Sequence, residues 1–271
     1  MKKYTTFAKR NIKEIARDPV AYIFCLAFPV VMLALFSIIN YFSGAATATF
    51  DFPSLIPGIT TFSLSFIMLC ECLLVSKDKA TSLLKRLYVS PMKKCDFVIG
   101  YALPSFVCGV IQIIICIFSG YILSLICSAP YISFANCLLL FLESLPMLLI
   151  NVFAGIIVGC LLNDKSAPAI ISIFISASGI LGGAWMPLDI MGNFETFCLF
   201  LPFYPSVYLG RIITGASHTP TETSLIPSKY LFDNSGIISV VALAFYLVAT
   251  AVLSIIIFGK TMKKDRSEER R

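Results

Sequence analysis

The sequence predicts an all-α integral membrane protein with six transmembrane helices, cytoplasmic N- and C-termini, and a re-entrant helical hairpin between spans five and six. Three observations lead to this fold class. Hydrophobic residues make up 58% of the 271-residue chain and charged residues only 13%, whereas about a quarter of a soluble domain is charged. Apolar runs of 18 residues or more recur, which is enough to cross a hydrocarbon core of about 30 Å. The Lys and Arg residues cluster between alternate runs.

The apolar runs follow one another through a single transmembrane domain, residues 1–271. Before them, residues 1–19 are basic and carry apolar residues at helical spacing, which predicts an interfacial amphipathic helix with its basic side toward anionic headgroups. Pro29, Pro104 and Pro146 predict kinks in the first, third and fourth spans. The predicted spans cover residues 20–41, 55–76, 97–126, 134–162, 167–185 and 237–258.

Charge placement predicts the orientation of the bundle. Six Lys/Arg precede the first span, six lie in residues 77–96, and Lys165 and six tail residues join them on one side. Only Arg211 and Lys229 fall on the other side. Because positive residues stay in the cytoplasm, both termini are predicted inside. The same bias accounts for the net charge of +6 without a nucleic-acid partner.

Residues 77–96 form the most charged interior segment and are predicted as a cytoplasmic loop that contains a short helix. Thr81 or Ser82 can cap the start of this helix, and Pro91 ends it. Its apolar residues share one face, which suits docking on a soluble partner. The alternative is a solvated loop that only sets topology. The candidate docking residues are Thr81, Leu84, Lys85, Arg86, Leu87 and Tyr88.

Residues 186–211 are apolar but interrupted by proline and glycine, so they cannot form one straight span. The interrupting residues are Pro187, Gly192, Pro202, Pro205 and Gly210. Two half-helices that dip into the membrane and return fit this pattern. Irregular backbone at that depth is tolerated only where it is buried in protein or lines a cavity. We therefore predict a re-entrant segment over residues 186–211.

Two carboxylates, Glu71 and Glu143, lie inside predicted spans. Because a charge at mid-bilayer costs roughly 2.5–3.5 kcal/mol, such groups usually face the interior of the bundle. The functional interpretation is that each is a polar point in a transport route. The structural interpretation is that Glu71 reaches toward the near end of its span, and that Glu143 is neutral or bonds Asn151 or Gln112.

Small residues and cysteines give weaker signals. Gly155-xxx-Gly159 and Gly179-xxx-Gly183 are spacings that permit close helix packing. The ten cysteines lie mostly in apolar runs, where they behave as small buried side chains. Cys127 with Cys137 is the one disulfide pair left open. With a single His, the chain is predicted to hold no catalytic set and no metal site.

Two stretches carry a resemblance to a known family. Gly183-Ala-Trp-Met-Pro-Leu-Asp189, then Leu201-Pro-Phe-Tyr-Pro205 and Arg211, resemble the signature region of type-2 ABC exporter permeases. Residues 77–94 resemble the family's cytoplasmic segment after span two. The residues that match that segment are Thr81, Leu84, Leu87 and Pro91.

The resemblance implies a mechanism. Two permease subunits, identical or related, would pair, and each would dock a cytoplasmic ATP-binding-cassette ATPase through the helix Thr81–Val89, the coupling helix. ATP and Mg would bind to that ATPase, with no cofactor on this chain. The hairpin Met186–Tyr208 would form the outer gate of the exporter. Its candidate gate residues are Trp185, Pro187, Asp189, Pro202, Tyr204 and Pro205.

The expected cargo is a drug, a peptide or a lipid-like molecule, and the expected location is the plasma membrane of a bacterium, in contact with membrane lipid. Two other function classes stay open. A secondary transporter would use Glu71 and Glu143 as proton-coupled carboxylates, although no inverted repeat is visible. A membrane assembly protein would perform no transport.

Overall fold

The computed structural model describes residues 3–19, 21–42, 50–81, 83–84, 92–127, 132–186, 188–191, 193–216 and 233–268. The regular structure in these ranges is helical. The helices are α1 Lys3–Ile15, α2 Ala21–Phe42, α3 Phe52–Ala80, α4 Lys94–Ile126, α5 Phe134–Leu161, α6 Ala167–Leu181, α7 Asn193–Leu199, α8 Phe203–Thr214 and α9 Asn234–Glu268, with a 3₁₀ turn at Leu188–Met191 between α6 and α7.

Within the described ranges, five helices are long and apolar enough to cross a membrane: α2, α3, α4, α5 and α9. The pair α7 and α8, bent by 97° at the break between them, would be a sixth if it formed one broken span. α6 is apolar but only 15 residues long, shorter than the 18 or so residues that a span needs. The predicted class, an all-α multi-pass membrane protein, is confirmed.

The helices begin within a few residues of the predicted spans, but three helix ends differ from the predicted limits. α9 continues to Glu268, beyond the predicted end of the sixth span at residue 258. The second span continues to Ala80, so residues 77–80 are the last turn of α3 and not part of a loop. The fifth span was predicted to reach Trp185, but α6 ends at Leu181. Two glycines follow it, and Gly183 has φ 63°, a left-handed conformation that turns the chain out of the helix.

The helix α3 forms the centre of the bundle. Of its 29 residues, 24 are buried, and it packs against α2, α4, α5, α6 and α8. A helix that is apolar on every side is expected to be buried in this way. Many of its other residues are serine or threonine, whose small side chains let neighbouring helices approach closely. The rest of the fold is therefore described by how the other helices pack around α3.

The predicted glycine pair on α5 packs directly against α3. A Cβ placed on Gly155 would lie 2.8 Å from the Met68 carbonyl oxygen, and one on Gly159 would lie 2.9 Å from that of Cys72. The second predicted pair is wrong as a helix contact, because Gly183 lies beyond the end of α6. Gly179 instead leaves room for the indole of Trp185.

Prolines inside two helices leave backbone carbonyls free, and other elements supply the missing donors. Pro57 has no N–H for the Pro53 carbonyl one turn earlier; the hydroxyl of Thr214 on α8 donates to that oxygen at 2.5 Å. Pro104 likewise frees the Gly100 carbonyl, and the Asn11 amide on α1 donates to it at 3.1 Å. These two bonds attach α8 to α3 and α1 to α4.

The amphipathic pattern of α1 is confirmed, but its buried face contacts protein. Phe7 and Asn11 are buried, and the Phe7 ring meets the Tyr101 ring edge-on at 4.8 Å. On the basic side, Arg10 turns to Asp78 of α3 instead of headgroups. The cysteine pair that the sequence left open, Cys127 and Cys137, consists of two free thiols.

Replacing Asn11 with Ala should destabilise the protein, because it leaves the Gly100 carbonyl without a donor. We expect the free energy of unfolding to fall by about 1–2 kcal/mol, measured by unfolding the purified protein in mixed micelles. Asn163→Ala, at an exposed residue, is the matched control and should change stability by less than about 0.5 kcal/mol. Equal losses for both variants would contradict the docking role of Asn11.

Candidate functional site

An ionic cluster around a buried carboxylate joins three helices at the end of the bundle that carries α1, which we call the basic end. Asp78, near the C-terminus of α3, has a side chain only 1% exposed. Arg10 of α1 donates to both of its carboxylate oxygens, at 2.5 and 2.8 Å. The Tyr101 hydroxyl of α4 donates to the same carboxylate at 2.8 Å. We call Arg10, Asp78 and Tyr101 the clasp.

The two-pronged geometry makes the clasp a strong contact. Paired N–H···O bonds between a guanidinium and a carboxylate fix orientation as well as adding energy. The hydrogen bond to Asp78 raises the pKa of Arg10 above its ordinary value, so Arg10 stays charged. Arg10 also pairs with Glu14 at 2.7 Å, and Glu14 lies 3.5 Å from Lys77 of α3. The last turn of α3 is thereby tied to α1.

Sequence reasoning did not find the clasp. Its only signal was one acid, Asp78, among the six cations of residues 77–94. The partner Arg10 is 68 positions away, and no local pattern connects the two residues. Tyr101 gave no polar signal, since it lies in an apolar run one helical turn after Phe97.

The predicted docking residues begin where α3 ends, three positions after Asp78. Thr81 is the C-cap of α3, and its hydroxyl donates to the Lys77 carbonyl at 3.0 Å. It therefore ends α3 and was wrongly predicted to cap the start of the next helix. The alternative cap, Ser82, lies outside the described residues. Leu84 is 2% exposed and packs in an apolar cluster with Phe7 and other residues of the basic end. Its side chain therefore anchors the loop. Lys85, Arg86, Leu87 and Tyr88 lie outside the described residues, and their docking role stays a prediction.

The two intramembrane carboxylates have different neighbours. Glu71 is fully buried and accepts a hydrogen bond from Ser105 of α4. On its other side, its Cβ faces Gly155 of α5, where a side chain would not fit. Its second carboxylate oxygen is buried and makes no hydrogen bond within the described chain. Glu71 therefore faces neighbouring helices of its own subunit and does not reach toward the end of its span.

Glu143 of α5 lies in a short chain of hydroxyl groups. Ser206 of α8 donates to its carboxylate at 2.9 Å, and the Ser206 oxygen lies 3.2 Å from the Thr61 hydroxyl of α3. Since Ser206 has one proton, Thr61 is the donor in the second bond. The expected partners were wrong: Gln112 donates to the Ser63 carbonyl and Asn151 to that of Met147.

The segment predicted as a re-entrant hairpin contains α7 and α8, which are bent by 97° at the break between them. Its re-entrant course stays a prediction, and we use the word hairpin for this pair of helices. Pro202 precedes α8 as its N-cap, and Pro205 lies in the first turn, where a missing N–H leaves no helical bond unmade. Tyr204 is buried, and its hydroxyl donates to Glu195 of α7 at 2.8 Å, which ties the two arms together. Asp189 belongs to the 3₁₀ turn before α7, and Pro187 lies outside the described residues.

Two further residues fasten the hairpin to the bundle. The Trp185 ring packs edge-on against Phe62 of α3 at 4.6 Å and stacks with Phe36 of α2 at 6.1 Å. Arg211 is buried and donates to the Gly183 carbonyl at 2.8 Å. The same guanidinium reaches the Ser54 carbonyl at the start of α3, at 3.5 Å. The sequence indicated Arg211 as part of the signature region but not as this link.

This architecture was compared with protein families and with curated proteins. The family model described as ABC-2 type transporter matches residues 2–214. The chain belongs to the ABC-2 type transporter family. The match runs from α1 to the last residue of α8 and includes the clasp, both carboxylates and the hairpin. A search of curated proteins gave no match.

Membership of this family indicates that the clasp and the hairpin are parts of a transport subunit. A chain of the ABC-2 type transporter family is the membrane-spanning transport subunit, the permease, of an ABC transporter, and it is not itself catalytic. The resemblance predicted from residues 183–211 and 77–94 is therefore confirmed at the level of the family. This ABC-2 permease fixes its basic end through Asp78 and its hairpin through Arg211.

Removing Arg10 from the clasp should be costly, because it leaves the Asp78 carboxylate buried without its cation. We expect Arg10→Ala to lower the free energy of unfolding by about 3 kcal/mol. The double variant with Asp78→Ala should cost less than the sum of the two single changes. Glu14→Ala removes only a partly exposed pair and should cost less than about 1 kcal/mol. Strict additivity in the double-mutant cycle would rule out the clasp.

Proposed function

We propose that this permease belongs to an ATP-driven exporter, and that it works with a second permease subunit and with a cytoplasmic ATP-binding-cassette ATPase. The ATPase would bind ATP and Mg and would dock on the loop that follows α3. The observation that carries the proposal is the family match over residues 2–214 together with the attachment of α3 at both of its ends. The basic end would then be cytoplasmic, in agreement with its excess of Lys and Arg.

The central helix suits the transmission of force from this loop to the hairpin. With 29 residues, α3 is ~43 Å long at 1.5 Å per residue. At the basic end, the clasp and the anchor residue Leu84 tie it to α1 and the loop. At the hairpin end, its Pro53 and Ser54 carbonyls accept hydrogen bonds from Thr214 and Arg211. A displacement of the loop would therefore move the hairpin.

The hairpin α7–α8 is proposed to be re-entrant and to act as the outer gate. Its two arms are held together by the Tyr204–Glu195 bond, so they would move as a unit. α8 packs against α3, α5 and α9, and side-chain hydrogen bonds from Arg211, Thr214 and Ser206 add to this packing. Such bonds in membrane proteins average about 0.6 kcal/mol, which is weak enough for them to be exchanged during a transport cycle.

The proposed cargo is an amphipathic drug, peptide or lipid-like molecule, and the proposed location is the plasma membrane of a bacterial cell. The apolar composition of the bundle favours such cargo over a small hydrophilic solute. Within the part of the chain that the structure describes, α2 and α9 expose large apolar side chains over most of their length. These faces would contact lipid or the second permease subunit.

The docking hypothesis is tested by comparing variants of the predicted ATPase contacts, Leu87 and Tyr88, with a variant of the anchor residue Leu84. Leu87→Ala with Tyr88→Ala should weaken co-purification of the ATPase by a factor on the order of a thousand, since truncating two interface anchors costs about 2 kcal/mol each. Leu84→Ala should instead lower the stability of the permease, because Leu84 is buried in the bundle. ATPase co-purification and cargo-stimulated ATP hydrolysis are the measurements.

Lys85→Ala with Arg86→Ala is the matched control for the docking test, because these residues lie off the predicted apolar face. It should cost less than the Leu87 and Tyr88 pair. A Ser90→Cys variant labelled only from the cytoplasmic side would verify the orientation of the loop. If the Leu87 and Tyr88 variant keeps both its partner and its stimulation, the loop is a topology signal alone.

A proton-coupled mechanism remains the second candidate, and one observation favours it: Glu143 contacts the hairpin residue Ser206 at 2.9 Å. Glu143→Gln keeps the shape and an acceptor oxygen for Ser206 but removes the ionisable group. We expect near-normal stability with reduced transport if the carboxylate takes part in the cycle. Ser206→Ala, which removes the link without changing charge, is the control. Unchanged transport by Glu143→Gln at normal protein level would make Glu143 purely structural.

A further inference from the structure

A cavity of about 750 Å³ lies at the basic end, between α1, the start of α2 and the last turns of α3. Its size falls in the range of small-molecule sites, about 300–1,000 Å³. Neither Glu71 nor Glu143 lines it, so it is separate from the carboxylates described above. It is also distinct from the predicted docking face, because its walls come from helices and not from the loop.

The rim of the cavity is strongly basic. Five cations and two acids line it, Glu14 and Asp18 being the acids, so the formal charge is 5 − 2 = +3. Two of the cations are neutralised in part by the ion pairs of Glu14 and Asp78. The remaining three form no ion pair within the described chain. These three are Lys9, Lys13 and Arg17.

The uncharged residues of the lining, which we call the floor, are mainly apolar. Leu73 and Leu74 of α3 and Ala21 at the start of α2 line it. A smaller cavity of about 150 Å³ shares Ile15 and Ala21 with it and is lined almost wholly by apolar side chains. Basic rim and apolar floor thus meet at the level where α2 begins and α3 ends. A free phosphate would use only the rim, whereas an acyl lipid would use both.

We propose that this cavity binds an anionic phospholipid of the adjacent leaflet. The headgroup phosphate lies among Lys9, Lys13 and Arg17, and an acyl chain runs along Leu73 toward the smaller cavity. Cations on a concave surface concentrate anions, and juxtamembrane Lys and Arg attract anionic lipid. The bound lipid contacts both α1 and α3, the two helices that Arg10 and Asp78 join, so it stabilises the clasp.

The test uses the purified full-length permease in a neutral detergent, titrated with phosphatidylglycerol while thermal unfolding is followed. The triple variant Lys9→Gln, Lys13→Gln, Arg17→Gln should need roughly a hundredfold more phosphatidylglycerol for the same shift, since each lost cation weakens binding about fivefold. Lys165→Gln, Lys260→Gln, Lys263→Gln removes the same charge from exposed sites elsewhere at the basic end. This control should change the requirement less than threefold.

Three results would overturn the proposal. Equal losses for the two triple variants would indicate attraction to overall charge and no site. Stabilisation by phosphatidylcholine as strong as by phosphatidylglycerol would remove the anionic requirement. Stabilisation by millimolar inorganic phosphate equal to that by phosphatidylglycerol would indicate a free-anion site. Leu73→Trp, which fills the apolar wall without changing charge, should also weaken the phosphatidylglycerol effect, and an unchanged response would exclude the acyl-chain contact.

Discussion

The burial of polar groups along α3 is the constraint on which the rest of the structure depends. In a bilayer there is no water to satisfy a buried donor or acceptor, so each must find a partner in the protein. Neighbouring elements hydrogen-bond to α3 at several levels of the helix, and five pairs illustrate this. The pairs are Thr214 with Pro53, Ser206 with Thr61, Ser178 with Ser65, Ser105 with Glu71, and Arg10 with Asp78.

This arrangement limits how α3 can move. Rotation or sliding of the helix would break several of these bonds at once and expose unsatisfied groups to lipid. A concerted shift that carries the bonded neighbours along is less costly, because the pairs stay intact. In the proposed transport cycle, such a shift would link the basic end, where α3 ends, to the hairpin end, where Arg211 and Thr214 are attached.

The basic end brings together three features that lie far apart in the chain. The clasp joins α1 to α3, Leu84 packs the loop against the same end, and the basic cavity opens between the same two helices. α1 is therefore more than a surface helix. Its buried face packs against α4, its Arg10 binds Asp78, and its remaining cations line the cavity. A change in the position of α1 would alter the clasp, the packing of Leu84 and the shape of the cavity together.

The sequence by itself determined the membrane class, the positions of the five long apolar helices, the glycine contact of Gly155 and Gly159, and the broken segment after α6. Each depends on composition or on spacing within about twenty residues, which helical periodicity and proline chemistry convert directly into structure. Even the free carbonyls before Pro57 and Pro104 follow from proline alone. The tertiary structure decided which donors satisfy them, that Asp78 meets Arg10, and that Glu143 meets Ser206. Those partners come from segments tens of residues away, and only the packing of the helices around α3 brings their side chains within hydrogen-bonding distance.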